Sequence, residues 1–272
     1  MNRLKRMKAL LIDLNGTIHI EDTSTPNAIE AVTLLKQAEV PFLFVSNTSK
    51  ESRQGILNRL YRVGFDKKTI VLDQIFTSLT AAKNYVEQND VKLFPLVSDS
   101  SLTEIPTELV HKQKDFTQKS VLVGLAPDSF TFENMNYSFR LLTNHGAELI
   151  AMNKGRYHKT SSGLSLGPGP FVEALEFASG TKATVIGKPS LSFFNQASKI
   201  LGVQLANCVM VGDDARDDVC GALEAGVGFG VLVRSGKFLH GDESFLKDFD
   251  DDSYCVADNF AEFVNLYLSQ IE

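Results

Sequence analysis

Ala9-Leu10-Leu11-Ile12-Asp13-Leu14-Asn15-Gly16-Thr17 joins four apolar residues to an aspartate, with a glycine three positions later. The apolar run reads as a buried strand over 8–12 that ends on Asp13, after which Gly16 turns the chain. Open α/β folds build their sites at the carboxyl ends of parallel strands. This layout therefore presents a carboxylate at such an edge, where it can serve as a phosphate-accepting nucleophile. Asn15, two residues further on, is an amide and carries no titratable proton.

Outward from this strand, short apolar runs alternate with helical periodicity, which predicts an α/β fold with a mostly parallel sheet. Pro26 opens a helical pattern through Ala28, Ile29, Val32 and Leu35. Residues 42–45 read as the second strand, followed by Ser46-Asn47-Thr48-Ser49. A helix then runs through Ile56, Leu57 and Leu60 to a stop at Gly64. Residues 79–88 read as helix and 92–97 as strand. The character then changes: 99–118 is polar and irregular, 121–125 and 149–152 are strands, and 132–142 is a helix. The stretch 163–170, rich in glycine and proline, reads as a hinge or shaped loop, with helix resuming over 171–178. The last third returns to the opening rhythm, with strands at 183–186, 208–211 and 229–233 and helices at 191–201, 217–225 and 261–268. The expected fold is α/β, a Rossmann-like parallel-sheet core from 1–88 and 183–272 with an α/β domain inserted at 89–182.

Composition narrows the function classes. The chain has 272 residues, 43% of them hydrophobic, which suits one large or two moderate domains. Net charge is −6 and no basic block stands out, so a nucleic-acid partner is not expected. The apolar run before Asp13 is too short for a signal peptide, and no segment approaches the roughly 18 apolar residues of a membrane span. Cys208, Cys220 and Cys255 form no CxxC pair, so reduced thiols and a cytoplasmic location are expected. The run Asp248-Phe249-Asp250-Asp251-Asp252 reads as a solvated loop.

Four stretches that follow predicted strands carry the chemistry. Asp13 taken alone reads equally as a strand-end aspartate capping the next turn. Ser46-Asn47-Thr48 offers a hydroxyl and successive backbone N–H groups suited to phosphate oxygens, or an N-cap cluster for the following helix. Gly187-Lys188-Pro189 holds a lysine placed to neutralise phosphate charge, or a solvent-exposed turn lysine. Gly212-Asp213-Asp214-Ala215-Arg216-Asp217-Asp218 clusters carboxylates that repel one another unless a cation is present, and oxygen ligands suit Mg²⁺; its bland reading is a surface acidic turn. Taken jointly, and in this chain order, the four supply a nucleophile, a hydroxyl grip, a cation and a metal site, which are the needs of phosphoryl transfer.

This order resembles the haloacid dehalogenase superfamily of phosphohydrolases, whose first motif is usually DxDGT or DxDGV, followed by a Ser/Thr, a Lys and a GD-x(4)-D motif. The insert resembles the large cap of the NagD-like branch. Ser46-Asn47-Thr48 is similar to that branch's TNN/SNN signature, and Gly167-Pro168-Gly169-Pro170-Phe171-Val172-Glu173-Ala174-Leu175-Glu176 to its loop before the helix leading back to the core. The resemblance implies that Asp13 attacks phosphorus and forms an aspartyl phosphate. Ser46, Asn47 and Thr48 would hold the transferring oxygens, and Lys188 would neutralise Asp13 and the phosphate. Mg²⁺ would sit on Asp13, the backbone carbonyl of Asn15, and Asp213, with Asp218 orienting that shell and Asp214 beside it. The implied substrate is a small phosphorylated molecule, and the family implies a possible homodimer through the cap. Within the insert, Lys154, Arg156 and Lys159 are candidates to meet an anionic substrate, or else belong to a solvated loop.

Asn15 departs from the family pattern. The residue there is usually a second aspartate that protonates the leaving group and later activates water, and an amide does neither. Positioned acid–base catalysis is worth about 10²–10⁴-fold. The expectation is a slow phosphatase selective for good leaving groups, such as those of P–O–P or P–N bonds. The competing expectation is a catalytically attenuated member that binds a metabolite or a protein. His19 and Glu21 are the nearest groups able to swing in as a substitute. The five histidines show no zinc spacing, and a two-component receiver domain fails on length and on the size of the insert.

Overall fold

A computed structural model describes residues 3–89, 91–160 and 163–271. The chain divides into two compact units, one of Met1–Ser46, Arg53–Phe76 and Lys188–Glu272, the other of Asn47–Ser52 and Thr77–Gly187. In chain order the first unit opens with β1 (Ala9–Ile12), a small hairpin of β2 (His19–Ile20) and β3 (Thr23–Ser24), α1 (Ala28–Gln37), β4 (Phe42–Ser46), α2 (Arg53–Val63) and β5 (Ile75–Thr77). The insert contributes α3 (Ser78–Asn89), β6 (Leu93–Leu96), α4 (Asp99–Leu102), β7 (Ser120–Val123), α5 (Phe132–His145), β8 (Glu148–Ala151), β9 (Tyr157–Thr160), β10 (Gly163–Leu166), α6 (Gly169–Ser179) and β11 (Thr184–Val185). The first unit resumes with α7 (Leu191–Leu201), β12 (Cys208–Gly212), α8 (Gly221–Glu224), β13 (Phe229–Val233), β14 (Tyr254–Ala257) and α9 (Phe260–Ile271).

The first unit is built on a six-stranded sheet of order β14-β13-β12-β1-β4-β5. β1 lies between two parallel neighbours, with Ile12 opposite Val211 on one side and Phe44 on the other. β1, β4, β12 and β13 are buried along their whole length, as strands of a parallel sheet covered on both faces must be, and this is why they read as continuous apolar runs. Leu10, Ile12, Val32, Phe44, Val209, Val231 and Phe263 belong to one core cluster. Successive strands lie on opposite sides of β1, so the strand order reverses there, and ligands of open α/β sheets bind at such a switch point. Asp13 and Asp213 leave the carboxyl ends of β1 and β12, side by side at that edge.

The insert has its own four-stranded sheet, β11-β8-β7-β6, and its own core of Phe94, Val121, Tyr137, Leu141, Leu149, Val172 and Leu175. Its limits differ from the sequence expectation of 89–182. Helix α3 and strand β11 both belong to it. β11 pairs in parallel with β8, through Thr184 opposite Ile150 and Val185 opposite Ala151, so the strand expected to reopen the core closes the insert instead. Lys188 is then the first residue back in the first unit.

Local departures have physical causes. The expected loop at 163–170 contains β10, paired antiparallel to β9, with α6 starting at Gly169. Leu164 and Leu166 face outward and are 66% and 62% exposed, so a short strand with glycine and serine on its other face lacked the pattern of a buried one. The helix expected at 217–225 begins at Ala215 as a π-helical turn and becomes α-helical only over Gly221–Glu224. Among the described residues no helix is long and apolar enough to cross a membrane.

Candidate active site

The end of β1 positions the nucleophile candidate. The Asp13 N–H donates to the Val211 carbonyl at 2.9 Å, extending the β1–β12 ladder by one residue and aiming the side chain past the sheet edge. Lys188 donates from Nζ to Asp13 Oδ1 at 2.6 Å and to the Val45 carbonyl at 3.1 Å, and its ammonium lies 2.7 Å from Asp218 Oδ1. Lys188 is only 2% exposed, which overturns the reading of a solvent-exposed turn lysine. Burial works against its charge, but Asp13 and Asp218 outweigh that and hold its pKa above the usual lysine value. Ser46, also buried, ends β4 one residue beyond Val45.

Asp213 and Asp218 are buried as well, so the acidic motif is not a surface turn. One oxygen from each of Asp13, Asp213 and Asp218 lies within 4.8 Å of the others. Burial pushes the pKa of Asp213 well up, and repulsion from Asp13 and Asp218 adds to it, against the opposing charge of Lys237. Asp218 is raised too, first by burial, against the pull of Lys188. Three buried oxygen donors that repel one another are the donor chemistry of a hard divalent cation. Asp214 lies apart from this trio: Oδ1 caps the π-helical turn by accepting from the N–H groups of Arg216 and Asp217, and Oδ2 accepts from Lys237 Nζ at 3.2 Å.

Asn15 sits in the turn after Asp13, where its Oδ1 accepts from the Glu21 N–H at 3.4 Å and its backbone bridges to His19. His19 is buried, with Nδ1 2.8 Å from the Glu21 carbonyl. Burial lowers its pKa, with the nearby Arg59 charge adding to the effect and Asp13 opposing it. Thr17 Oγ1 donates to Asp13 Oδ2 at 3.4 Å.

Asn47 and Thr48 belong to the second unit. The Asn47 carbonyl accepts from Asn153 Nδ2 at 2.8 Å and from Ser78 Oγ at 3.2 Å, and the Thr48 carbonyl from Ser78 Oγ at 3.4 Å. α2 starts only at Arg53, so Ser46-Asn47-Thr48 does not cap it. Arg156 is exposed, with its guanidinium 5.5 Å from the Tyr157 ring centre. Lys154 is engaged within the insert by Glu173 and by Glu176, the latter at 3.0 Å. The side chain of Lys159 lies outside the described residues.

The sequence reading missed Ser235, Gly236 and Lys237, which follow β13. The Lys237 N–H donates to Asp213 Oδ2 at 2.6 Å, and Ser235 Oγ donates to the Gly16 carbonyl at 2.6 Å. A signal was present: a strand, a glycine and a lysine, the same succession as Gly187-Lys188.

Comparison with known proteins agrees with this geometry. Residues 10–109 match the family model for haloacid dehalogenase-like hydrolases, and 185–263 match a second, HAD-hydrolase-like model. Haloacid dehalogenase-like hydrolase domain-containing protein 2 from Bos taurus is 44% identical, covering 98% of each chain. The phospholysine phosphohistidine inorganic pyrophosphate phosphatase of Homo sapiens is 34% identical over 99% of this chain and 97% of its own. Among solved structures, NagD from E. coli K-12 shares the fold, with a TM-score of 0.82 at 22% identity over 94% of this chain and 98% of that one. A buried aspartate–lysine pair at a strand end, an acidic trio beside it and full-length relatives place this chain in the haloacid dehalogenase-like hydrolase family.

Proposed function

We propose that the protein is a Mg²⁺-dependent phosphohydrolase that works through an aspartyl phosphate on Asp13. Its substrate would be a small phosphorylated molecule or a P–O–P or P–N bond, and its turnover slow because Asn15 replaces an acid. The observation that carries this reading is the buried contact of Lys188 with both Asp13 and Asp218 beside Asp213. An ammonium so placed fixes the orientation of Asp13 for attack, and it opposes the charge of an incoming phosphoryl group. The name of the 34%-identical phosphatase supports P–O–P or P–N chemistry, and that of the family model supports a hydrolase.

Asp13, Asp213, Asp218 and the Asn15 carbonyl are the groups to hold Mg²⁺. The ion, when bound, supplies positive charge that offsets the developing charge on phosphorus. Asp13 attacks phosphorus through one carboxylate oxygen, and the bond from phosphorus to the leaving group breaks with its electron pair going to the leaving atom. Water then attacks the aspartyl phosphate, releasing inorganic phosphate and restoring the carboxylate. Ser46 and the Asn47 and Thr48 backbone hold the transferring oxygens. Arg156 is assigned to substrate recognition on its exposed charge. Asn15 neither donates a proton to the leaving atom nor takes one from water, so each half-reaction lacks about 10²–10⁴-fold of assistance, roughly 3–5 kcal/mol.

Asn15 also favours a second reading, a binding protein that retains phosphate and metal but turns over nothing, because its side-chain oxygen is occupied by the Glu21 N–H. One assay separates the two. Purified protein with Mg²⁺ should hydrolyse p-nitrophenyl phosphate, pyrophosphate or phosphohistidine, and Asp13→Asn should not. Metal binding with no turnover of any of them would leave only the binding reading. Three free cysteines are compatible with a cytoplasmic location.

A further inference from the structure

We infer that Ser235-Gly236-Lys237 is a clasp that sets the spacing between the nucleophile loop and the acidic loop, with Lys237 as its positioning residue. The inference rests on the Mg²⁺ reading of the same site and adds a part to it. The turn leaves β13, the strand next to β12, and reaches across to the loop that follows β1. Two short hydrogen bonds make the crossing: Ser235 Oγ to the Gly16 carbonyl and the Lys237 N–H to Asp213 Oδ2, both 2.6 Å. There is no room for a side chain at Gly236 between them. A Cβ on Gly236 would lie 2.1 Å from Asp213 Oδ2 and 2.3 Å from Gly16 Cα, and the residue has a φ of +56°.

The side chain of Lys237 closes the clasp. Its Nζ reaches Asp214 Oδ2 at 3.2 Å, and Asp214 is itself fixed by the N–H groups of Arg216 and Asp217. The turn is thus anchored at both ends of Lys237, by its N–H on Asp213 and by its ammonium on the neighbouring residue. An N–H pinned on one carboxylate oxygen fixes the torsion of Asp213 and so the direction of its other oxygen. A carboxylate held in one orientation loses less conformational freedom when it takes a cation than one that rotates.

Electrostatics alone predicts the opposite effect of removing Lys237. Its charge lies near four carboxylates, Asp13, Asp213, Asp214 and Asp218, so deleting it should draw a cation in more tightly. Positioning predicts looser binding, because an unanchored turn no longer holds Asp213. The two effects have opposite signs in the same measurement.

The test is Mg²⁺ binding to the full-length protein, followed by calorimetry and by the spectrum of bound Mn²⁺, with circular dichroism to confirm folding. Wild type should bind. Lys237→Met should weaken Mg²⁺ binding at least 10-fold and broaden the Mn²⁺ signal, and Lys237→Arg, which keeps the pairing with Asp214, should restore most of it. Should Lys237→Met not fold, Asp214→Asn, which leaves Lys237 in place but weakens the anchor, is expected to weaken binding in the same sense. Unchanged or tighter binding in a folded Lys237→Met or Asp214→Asn variant overturns the clasp while leaving the enzyme reading intact. Wild type that binds no divalent cation overturns the metal reading and the clasp with it.

Discussion

Lys188 Nζ lies 2.6 Å from Asp13 Oδ1, joining residues 175 positions apart in the sequence. The contact is almost wholly buried and Asp218 completes it on the other side. A lysine returning from an inserted unit to meet the first strand end is the arrangement on which the hydrolase reading depends.

Asp13→Asn is expected to keep the fold and remove turnover. The amide matches the carboxylate in size, and Lys188 keeps Asp218 as its counter-charge, so the pocket retains a pair. An amide does not attack phosphorus, and the loss should exceed about 10³-fold. Steady-state rates on p-nitrophenyl phosphate, beside a thermal melt, measure both; residual activity of more than a few per cent would place the nucleophile elsewhere.

Asp213→Ala is expected to cost Mg²⁺ affinity as well as rate. It removes one of three buried oxygen donors and strands the Lys237 N–H that Asp213 now accepts. An unsatisfied buried donor costs about 1–3 kcal/mol, so a lower melting temperature should accompany the change. Undiminished Mg²⁺ affinity by calorimetry would remove Asp213 from the ligand set.

Gly16→Ala tests how tightly the two loops meet. A Cβ there would lie 2.0 Å from Asp213 Oδ2, on a backbone with φ of +105°. Gly146, in the insert, has a φ of +63° and nothing within 4 Å of an added Cβ, so Gly146→Ala carries backbone strain alone. Strain of this kind is worth about 1–3 kcal/mol. Gly16→Ala should lose more stability than Gly146→Ala and, unlike it, lose activity. Equal losses of stability with activity intact in both variants would mean that Asp213 has room to move.

Much of this was legible because parallel strands buried on both faces announce themselves as apolar runs. β1, β12 and β13 were located within one residue, and Asp13 and Asp213 stood at their ends. What escaped was structure without that signature. The β2–β3 and β9–β10 hairpins are short and partly exposed, and β14 is only half-buried for most of its length. β11 was found as a strand but given to the wrong sheet, since two residues of pairing with β8 leave no trace in the local pattern. The pairing of Lys154 with Glu173 and Glu176 went unseen because those partners lie on a helix further along the sequence. Lys237 was overlooked for the same reason, as Asp213 and Asp214 lie 24 and 23 positions before it.

His19 gives the site a pH signature. Burial holds its imidazole neutral below the ordinary value of 6.5. Well above pH 6.5 neither the folded nor the unfolded protein carries a proton there, and the residue has no effect on the pH dependence of stability. As pH falls below that, the unfolded chain binds the proton first and folding is disfavoured, until pH passes the lower folded value. Urea denaturation of wild type and His19→Gln between pH 8 and pH 5 should show wild type losing stability relative to the variant on acidification. A difference independent of pH, or one that grows in favour of wild type, would mean that His19 takes up its proton in the folded state.

Asn15→Asp should raise activity, against the usual direction of active-site substitution. The structure accommodates it: Asn15 Oδ1 accepts the Glu21 N–H, and a carboxylate accepts the same bond with one oxygen while the other stays available. General acid assistance matters most for the poorest leaving group, so alkyl phosphates should gain most, up to about 10²–10⁴-fold, and aryl phosphates and pyrophosphate less. Wild type, lacking a base to activate water, should accumulate phosphate on Asp13, and the variant should not. Mass spectrometry of acid-quenched enzyme reads the first point, and steady-state rates on the three substrate classes read the second. If every substrate is unchanged, the amide is not the bottleneck. His19, buried and within the field of Asp13, would then be the first residue to test as the proton carrier.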